Sequence, residues 1–119
     1  MEKLDASLAK RSHCPIATTL DVLGDKWTLL IIRDIGLFDK HKNKDFQEAE
    51  EGIPTNILAN RLKELVSNGL VEKRLYQNNP PRYDYYLTDA GRGLLPVLKS
   101  MATWADEFID GVNIPKFDG

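Results

Sequence analysis

The chain has 119 residues, of which 42% are hydrophobic and 29% charged, with a net charge of −2. That length suits one domain, and that balance supports a buried core. A single cysteine, Cys14, excludes an internal disulfide and a multi-cysteine metal site, no apolar run is long enough to span a bilayer, and the acidic start Met1-Glu2-Lys3-Leu4-Asp5 lacks the apolar stretch of a secretory signal, so a cytoplasmic protein is expected.

Proline is favoured at the first position of a helix, so Cys14-Pro15 predicts a first helix with Cys14 at its N-cap. Ile16, Leu20 and Leu23 follow at helical spacing, and Gly24 ends the helix. Asp25 is placed to cap a second helix through Trp27, Leu30, Ile31 and Ile35. The polar stretch Asp39-Lys40-His41-Lys42-Asn43-Lys44 predicts a loop, and a short helix is expected around Phe46 to Glu50. Gly52-Ile53 predicts a turn. Pro54 then starts a helix with Thr55 and Asn56 in its first turn, and Leu58, Leu62 and Leu65 form one apolar stripe. Asn68-Gly69 stops it.

Beyond Gly69 the period changes from helical to alternating. Val71, Lys73 and Leu75 alternate with Glu72, Arg74 and Tyr76, which predicts a strand. Gln77-Asn78-Asn79-Pro80-Pro81 is a turn, and Arg82 to Leu87, rich in tyrosine, is the returning strand. Thr88 caps a long final helix with Asp89 in its first turn. Pro96 falls inside that helix and predicts a kink or a delayed start, because its ring removes a backbone hydrogen bond. From Gly111 the periodicity is lost. One domain over residues 1–110 and a loosely held tail over 111–119 are therefore expected. The fold class is mainly α with a small β-hairpin (α+β). Three helices followed by a two-stranded hairpin is the winged helix-turn-helix layout.

Several segments, in order, resemble the HxlR-type family of winged helix-turn-helix transcription regulators. They are Cys14-Pro15-Ile16, Leu23-Gly24-Asp25-Lys26-Trp27, Ile57 to Leu65, Gly69-Leu70-Val71-Glu72-Lys73, Pro80 to Tyr85, and Leu87-Thr88-Asp89-Ala90-Gly91. The likeness covers roughly Cys14 to Phe108. Ala49 stands where that family's pattern carries a larger apolar residue. The resemblance implies a sequence-specific DNA-binding regulator that acts as a homodimer on double-stranded DNA.

The charge distribution agrees. Between residues 52 and 82, Arg61, Lys63, Lys73, Arg74 and Arg82 stand against only Glu64 and Glu72, although the whole chain is acidic. Phosphate affinity follows such local clusters rather than the overall sum. With leucines on the inner face of the 54–66 helix, Thr55, Asn56 and Asn60 are candidates for base edges, while Arg61 and Lys63 are candidates for phosphates. Around the hairpin tip, Arg74, Asn79 and Arg82 are further DNA candidates, Arg82 above all, since arginine suits a narrow minor groove. The lysines at 40–44 could add phosphate contacts.

In the last helix Leu94, Leu98, Met101, Ala105 and Phe108 recur every three or four residues, a heptad-like stripe broad enough to need a partner chain. A twofold dimer would set two recognition helices about 34 Å apart on a near-palindromic operator. Cys14 is a candidate sensor thiol, since an N-cap position with Arg11 and His13 upstream favours the thiolate. By resemblance it would answer to oxidants or electrophiles. No phosphate loop, metal-ligand cluster or nucleophile–base pair is evident, so neither catalysis nor a cofactor is expected. The rival reading is a winged-helix module for protein interaction or small-molecule sensing without thiol chemistry. It has no need of both the basic block and the polar helix face.

Overall fold

The computed structural model describes residues 11–113. Pro15 opens α1 (Pro15–Leu23) behind an extended Cys14, as the sequence predicts, but only Leu23 of this helix is buried. α2 (Thr28–Gly36) buries Thr28, Ile31, Ile32 and Ile35. Its cap is Asp25, whose carboxylate accepts from the backbone N–H of Trp27 at 2.9 Å and of Thr28 at 3.0 Å, and from the Thr28 hydroxyl. Two donors that the helix start leaves unpaired are thereby satisfied.

α3 (Asn43–Gln47) starts about three residues earlier than expected. The Asp45 carboxylate accepts from the Lys42 backbone N–H at 3.3 Å, and Gln47 donates to Asn43 across one turn at 2.6 Å. These local side-chain bonds draw Asn43 and Lys44 out of the loop and into the helix. Ala49 leaves a small gap of about 10 Å³ beside Trp27, Phe46 and Ile53. Gly52 makes the next turn at φ 69°, and α4 (Thr55–Ser67) follows with Pro54 just outside it as the N-cap. Gly69, at φ 77°, stops α4 while the Leu70 N–H returns to the Leu65 carbonyl at 3.0 Å.

β1 (Val71–Asn78) and β2 (Pro81–Leu87) form the antiparallel hairpin, with Val71 opposite Leu87 at its root. The strands run further than expected, so the turn shrinks to Asn79-Pro80, joined by a cis peptide bond. A bulge leaves Tyr76 without a partner between Leu75↔Tyr83 and Gln77↔Arg82. The segment before α3 docks on the free edge of β2. The Tyr85 N–H donates to the His41 carbonyl at 2.8 Å, His41 Nδ1 donates back to the Tyr85 carbonyl at 2.9 Å, and the imidazole stacks on Tyr86.

The long final helix is two helices, α5 (Asp89–Arg92) and α6 (Leu95–Phe108). Thr88 caps the first, its hydroxyl accepting from the Gly91 N–H at 3.2 Å. Pro96 lies in the first turn of the second, so a delayed start, not a kink, accommodates it. Residues 111–113 follow without helix or strand; the rest of the expected tail lies outside the described residues, as does the stretch 1–10. No helix among the described residues is long and apolar enough to cross a membrane.

One core collects the buried faces, with Ile31, Ile32 and Ile35 from α2, Phe46 from α3, Leu58, Leu62 and Leu65 from α4, and Val71 and Leu87 from the hairpin root. Arg33 closes it from outside, donating to Asp34 and to Glu51 at 2.9 Å, which ties α2 to the turn before α4.

Gly91 lies where this packing is tightest, since a Cβ there would stand 2.2 Å from the Leu70 carbonyl oxygen. Backbone cannot yield as a side chain can, so Gly91→Ala is expected to cost about 1–3 kcal/mol, the usual penalty of overpacking. Gly93→Ala, whose nearest contact would be 3.3 Å, is expected to stay within about 0.5 kcal/mol of the parent. Urea denaturation of the two variants checks the contrast.

Candidate nucleic-acid interface

The rotation of α4 follows from its leucines. Leu58, Leu62 and Leu65 are essentially inaccessible, which turns Thr55, Asn56, Ala59, Asn60 and Lys63 outward. No side chain caps this helix, so the first-turn N–H groups, with Thr55 and Asn56 beside them, meet solvent. An exposed helix start of this kind favours an anion.

Arg61 lies apart from that face. Its side chain is three-quarters buried, with Nε 3.1 Å from the Asp25 carboxylate. One terminal nitrogen donates both to Glu64 and to the Asn60 amide oxygen, each at 2.9 Å. Burial works against the Asp25 charge, but the Thr28 hydroxyl, the N–H groups of Trp27 and Thr28, and the Arg61 cation outweigh it and hold the carboxyl below its usual range. Arg61 therefore ties α4 to the junction between α1 and α2. It cannot reach a phosphate without breaking these pairs.

Two grooves lie along the hairpin, one of them beside α4. One, of about 350 Å³, runs between α4 and the hairpin and is lined by Asn43, Ala59, Lys63, Lys73 and Tyr85. The other, of about 530 Å³, runs between α3 and the hairpin and holds Lys42, Lys44, Gln47, Tyr76, Arg82 and Tyr83. Lys63 and Arg82 have no ion-pair partner among the described residues, and Lys73 rests over the Tyr83 ring. Lys42 is committed inward. It donates to Asp84 at 2.9 Å, which raises its pKa, and lies over Tyr76. Asn79 sits exposed at the tip.

Arg74 is on the far side of the hairpin. It pairs with Glu72, lies over the Tyr86 ring and borders a hollow with Ile35, Gly36, His41 and Leu95. The sequence reading put Arg74 among the DNA candidates around the hairpin tip, whereas it is Lys73 that lines the groove beside α4. The signal was available, because Val71 is buried and a strand alternates, so Lys73 shares the Val71 side and Arg74 does not. Gln47 and Tyr83 carried no such signal, since only the docking of α3 beside the hairpin brings them to the groove.

The predicted partner stripe on α6 also divides. Leu94 and Leu98 pack on the core of their own chain and Ala105 is half-buried, whereas Met101 and Phe108 are exposed. The outward stripe is Val97, Met101, Trp104 and Phe108, with Trp104 58% exposed and its ring 5.7 Å from that of Phe108. Ile16 and Leu20 of α1 are likewise exposed, 73% and 55%.

The Cys14 thiol is exposed at the N-terminus of α1. Hydrogen bonds from the backbone N–H groups of Ala17 and then Ile16 lower its pKa. Arg11, expected to contribute, turns instead to Asp21 at 2.7 Å, and His13 is solvent-exposed. No group of residues suited to hold a metal ion occurs among the described residues.

Residues 22–113 match the family model described as HxlR-like helix-turn-helix. The HTH-type transcriptional regulator YdeP of Bacillus subtilis is 31% identical, over 92% of this chain and 85% of that protein. The crystal structure of PA1607 superposes with a TM-score of 0.76 and 34% identity, covering 92% of this chain and 77% of that one. The redox regulator HypR in its oxidized form gives 0.69 and 32%, covering 82% and 99%.

Because the helix N–H groups favour the thiolate, alkylation of Cys14 by iodoacetamide should rise with pH through a midpoint below that of a free cysteine, about 8.5. A midpoint at or above that value in the folded protein would remove the basis for a reactive thiol.

Proposed function

Since the chain belongs to the HxlR-like helix-turn-helix family, a family of winged-helix transcription regulators, we propose that it binds a near-palindromic operator as a homodimer. α4 enters the major groove with Thr55, Asn56 and Asn60 toward the bases. Lys63 and Lys73 meet the phosphates beside it, and Arg82 and Asn79 carry the hairpin tip to the adjacent backbone or minor groove. The observation that carries this reading is the polar outer face of α4, with Lys63 on it and Arg82 on the hairpin, neither with an ion-pair partner among the described residues.

The exposed apolar stripes of α1 and α6 support the dimer. α6 leaves Val97, Met101, Trp104 and Phe108 in water, α1 leaves Ile16 and Leu20, and exposed apolar surface of this kind marks an interface. The dimer gathers them, and its twofold axis places two α4 helices on one face of the duplex.

Cys14 supplies the response to a signal. Its exposed, acidified thiol can add to an electrophile, forming an S–C bond and losing its proton to solvent. Two such thiols of a dimer can also form one disulfide, their two electrons and two protons passing to a peroxide. The resemblance to a redox regulator supports this reading.

Fluorescence anisotropy with duplex DNA from upstream of the protein's own coding region tests DNA binding. Specific binding that weakens steeply with salt is expected. Lys63→Ala should weaken all sequences alike and lower the salt slope by about 1. Negligible binding by the reduced dimer at low salt would sink the proposal. For the dimer, Trp104→Glu should sediment as a monomer while keeping the helical far-UV circular dichroism of a folded domain, with a melting temperature lowered by the loss of the partner. A parent protein that sediments as a monomer at micromolar concentration would exclude the interface.

A further inference from the structure

α1 is anchored to its own domain at its last turn. Leu23 is buried there and Val22 packs on the core, while Ile16 and Leu20, one turn apart on the same side of the helix, are exposed. The first turns are tied locally. Arg11 pairs with Asp21 at 2.7 Å, and the hydroxyls of Thr18 and Thr19 donate back to the carbonyls of Cys14 and Pro15 at 2.9 and 2.8 Å. Such back-bonds slightly destabilise a helix, and Ile16, Thr18, Thr19 and Val22 are β-branched, which lowers helix propensity. A helix of nine residues is also shorter than the roughly 12–15 at which even a favourable sequence becomes marginal in water. The turns ahead of Leu20 therefore need cover from outside their own domain.

The end that lacks support is the end that carries Cys14. The thiol meets the backbone N–H groups of Ala17 and Ile16, which converge on it only while this turn is helical. Neither upstream cation substitutes for them, since Arg11 is turned to Asp21 and His13 is solvent-exposed. A second copy of the chain supplies an apolar complement, because its own α6 leaves Met101, Trp104 and Phe108 exposed. We propose that dimerisation assembles the Cys14 site, the first turns of α1 being helical only where the partner subunit covers Ile16 and Leu20. In the dimer those N–H groups favour the thiolate. In the monomer the turn opens and Cys14 behaves as a free cysteine. Reactivity toward an electrophile is thereby confined to the dimer, the form that binds DNA. The proposal rests on the homodimer proposed above and adds what the partner does for the thiol.

Alkylation of the reduced full-length protein by iodoacetamide, followed by mass spectrometry across pH and across a dilution series spanning the dimer–monomer equilibrium, tests it. Where the protein sediments as a dimer, the midpoint of rate against pH is expected below about 8.5, and on dilution to the monomer it is expected to rise to that free-cysteine value. Trp104→Glu, monomeric throughout, is expected to show the free value at every concentration. Amide hydrogen exchange reads the helix itself. The Thr18 N–H, bonded to the Cys14 carbonyl at 2.9 Å, should be protected in the parent dimer and exchange at the open-chain rate in the variant, while the Leu62 N–H of α4 stays protected in both. Loss of protection at Leu62 would mark a variant that fails to fold, and the dilution series of the parent then decides. A monomer that keeps the lowered midpoint or a protected Thr18 overturns the proposal, as does a dimer whose midpoint already stands at the free value. A parent that sediments as a monomer at every concentration would instead defeat the dimer reading beneath it.

Discussion

The burial of Leu58, Leu62 and Leu65 is the constraint from which the rest follows. A helix turns 100° per residue, so seating three leucines inward leaves no freedom about which side chains face out. Thr55, Asn56, Asn60 and Lys63 are outward because the leucines are inward. The same core takes Leu70, Val71 and Leu87, which anchors the hairpin at its root, and Tyr85 of β2 packs on Phe46 beyond it, while every residue of β1 after Val71 is exposed. The free part of the hairpin is steadied from its edge by the strap at His41. Helix and wing are thus two projections from one packed base, with α3 beside both.

Periodicity made most of this legible. The leucine stripe, the change of period at Gly69 and the caps at Asp25 and Thr88 each rest on residues within four positions of one another, and local rules reach that far. What the sequence concealed depends on distant contacts. Arg61 looks like a phosphate ligand until Asp25, thirty-six positions away, comes within 3.1 Å of it. Leu94 and Leu98 belong to the same apolar stripe as Met101 and Phe108 by spacing alone, and only the seat of α6 against α2 sends the first pair inward and the second outward. The break between α5 and α6 was half legible. Pro96 announced an interruption, while its form depended on Gly91 fitting beneath Leu70.

An acidic chain can present a basic surface because its carboxylates are spent internally. Asp25 and Glu64 hold Arg61, Asp34 and Glu51 hold Arg33, Asp84 holds Lys42, and Glu72 holds Arg74. Such pairs add little net stability, since desolvation offsets attraction. The Asp34 carboxyl shows the balance, its pKa raised by burial although Arg33 and Lys40 pull it down. Their consequence is spatial. Each pair sets a negative charge against a positive one, and Lys63 and Arg82 remain without an ion-pair partner among the described residues.

α1, like α6, gives the core almost no fully buried residue, Leu23 alone in its case. Its own domain holds it weakly, so on the proposed dimer its position depends on the partner that covers Ile16 and Leu20. Its far end leads directly to the readout. Gly24 joins it to Asp25, and a Cβ at Gly24 would stand 2.3 Å from the Leu20 carbonyl oxygen. Asp25 in turn holds Arg61, and Arg61 holds Asn60. On the proposed dimer, a change in the seat of α1 would pass toward α4 through the backbone at Gly24, the Asp25–Arg61 ion pair and the Arg61–Asn60 hydrogen bond.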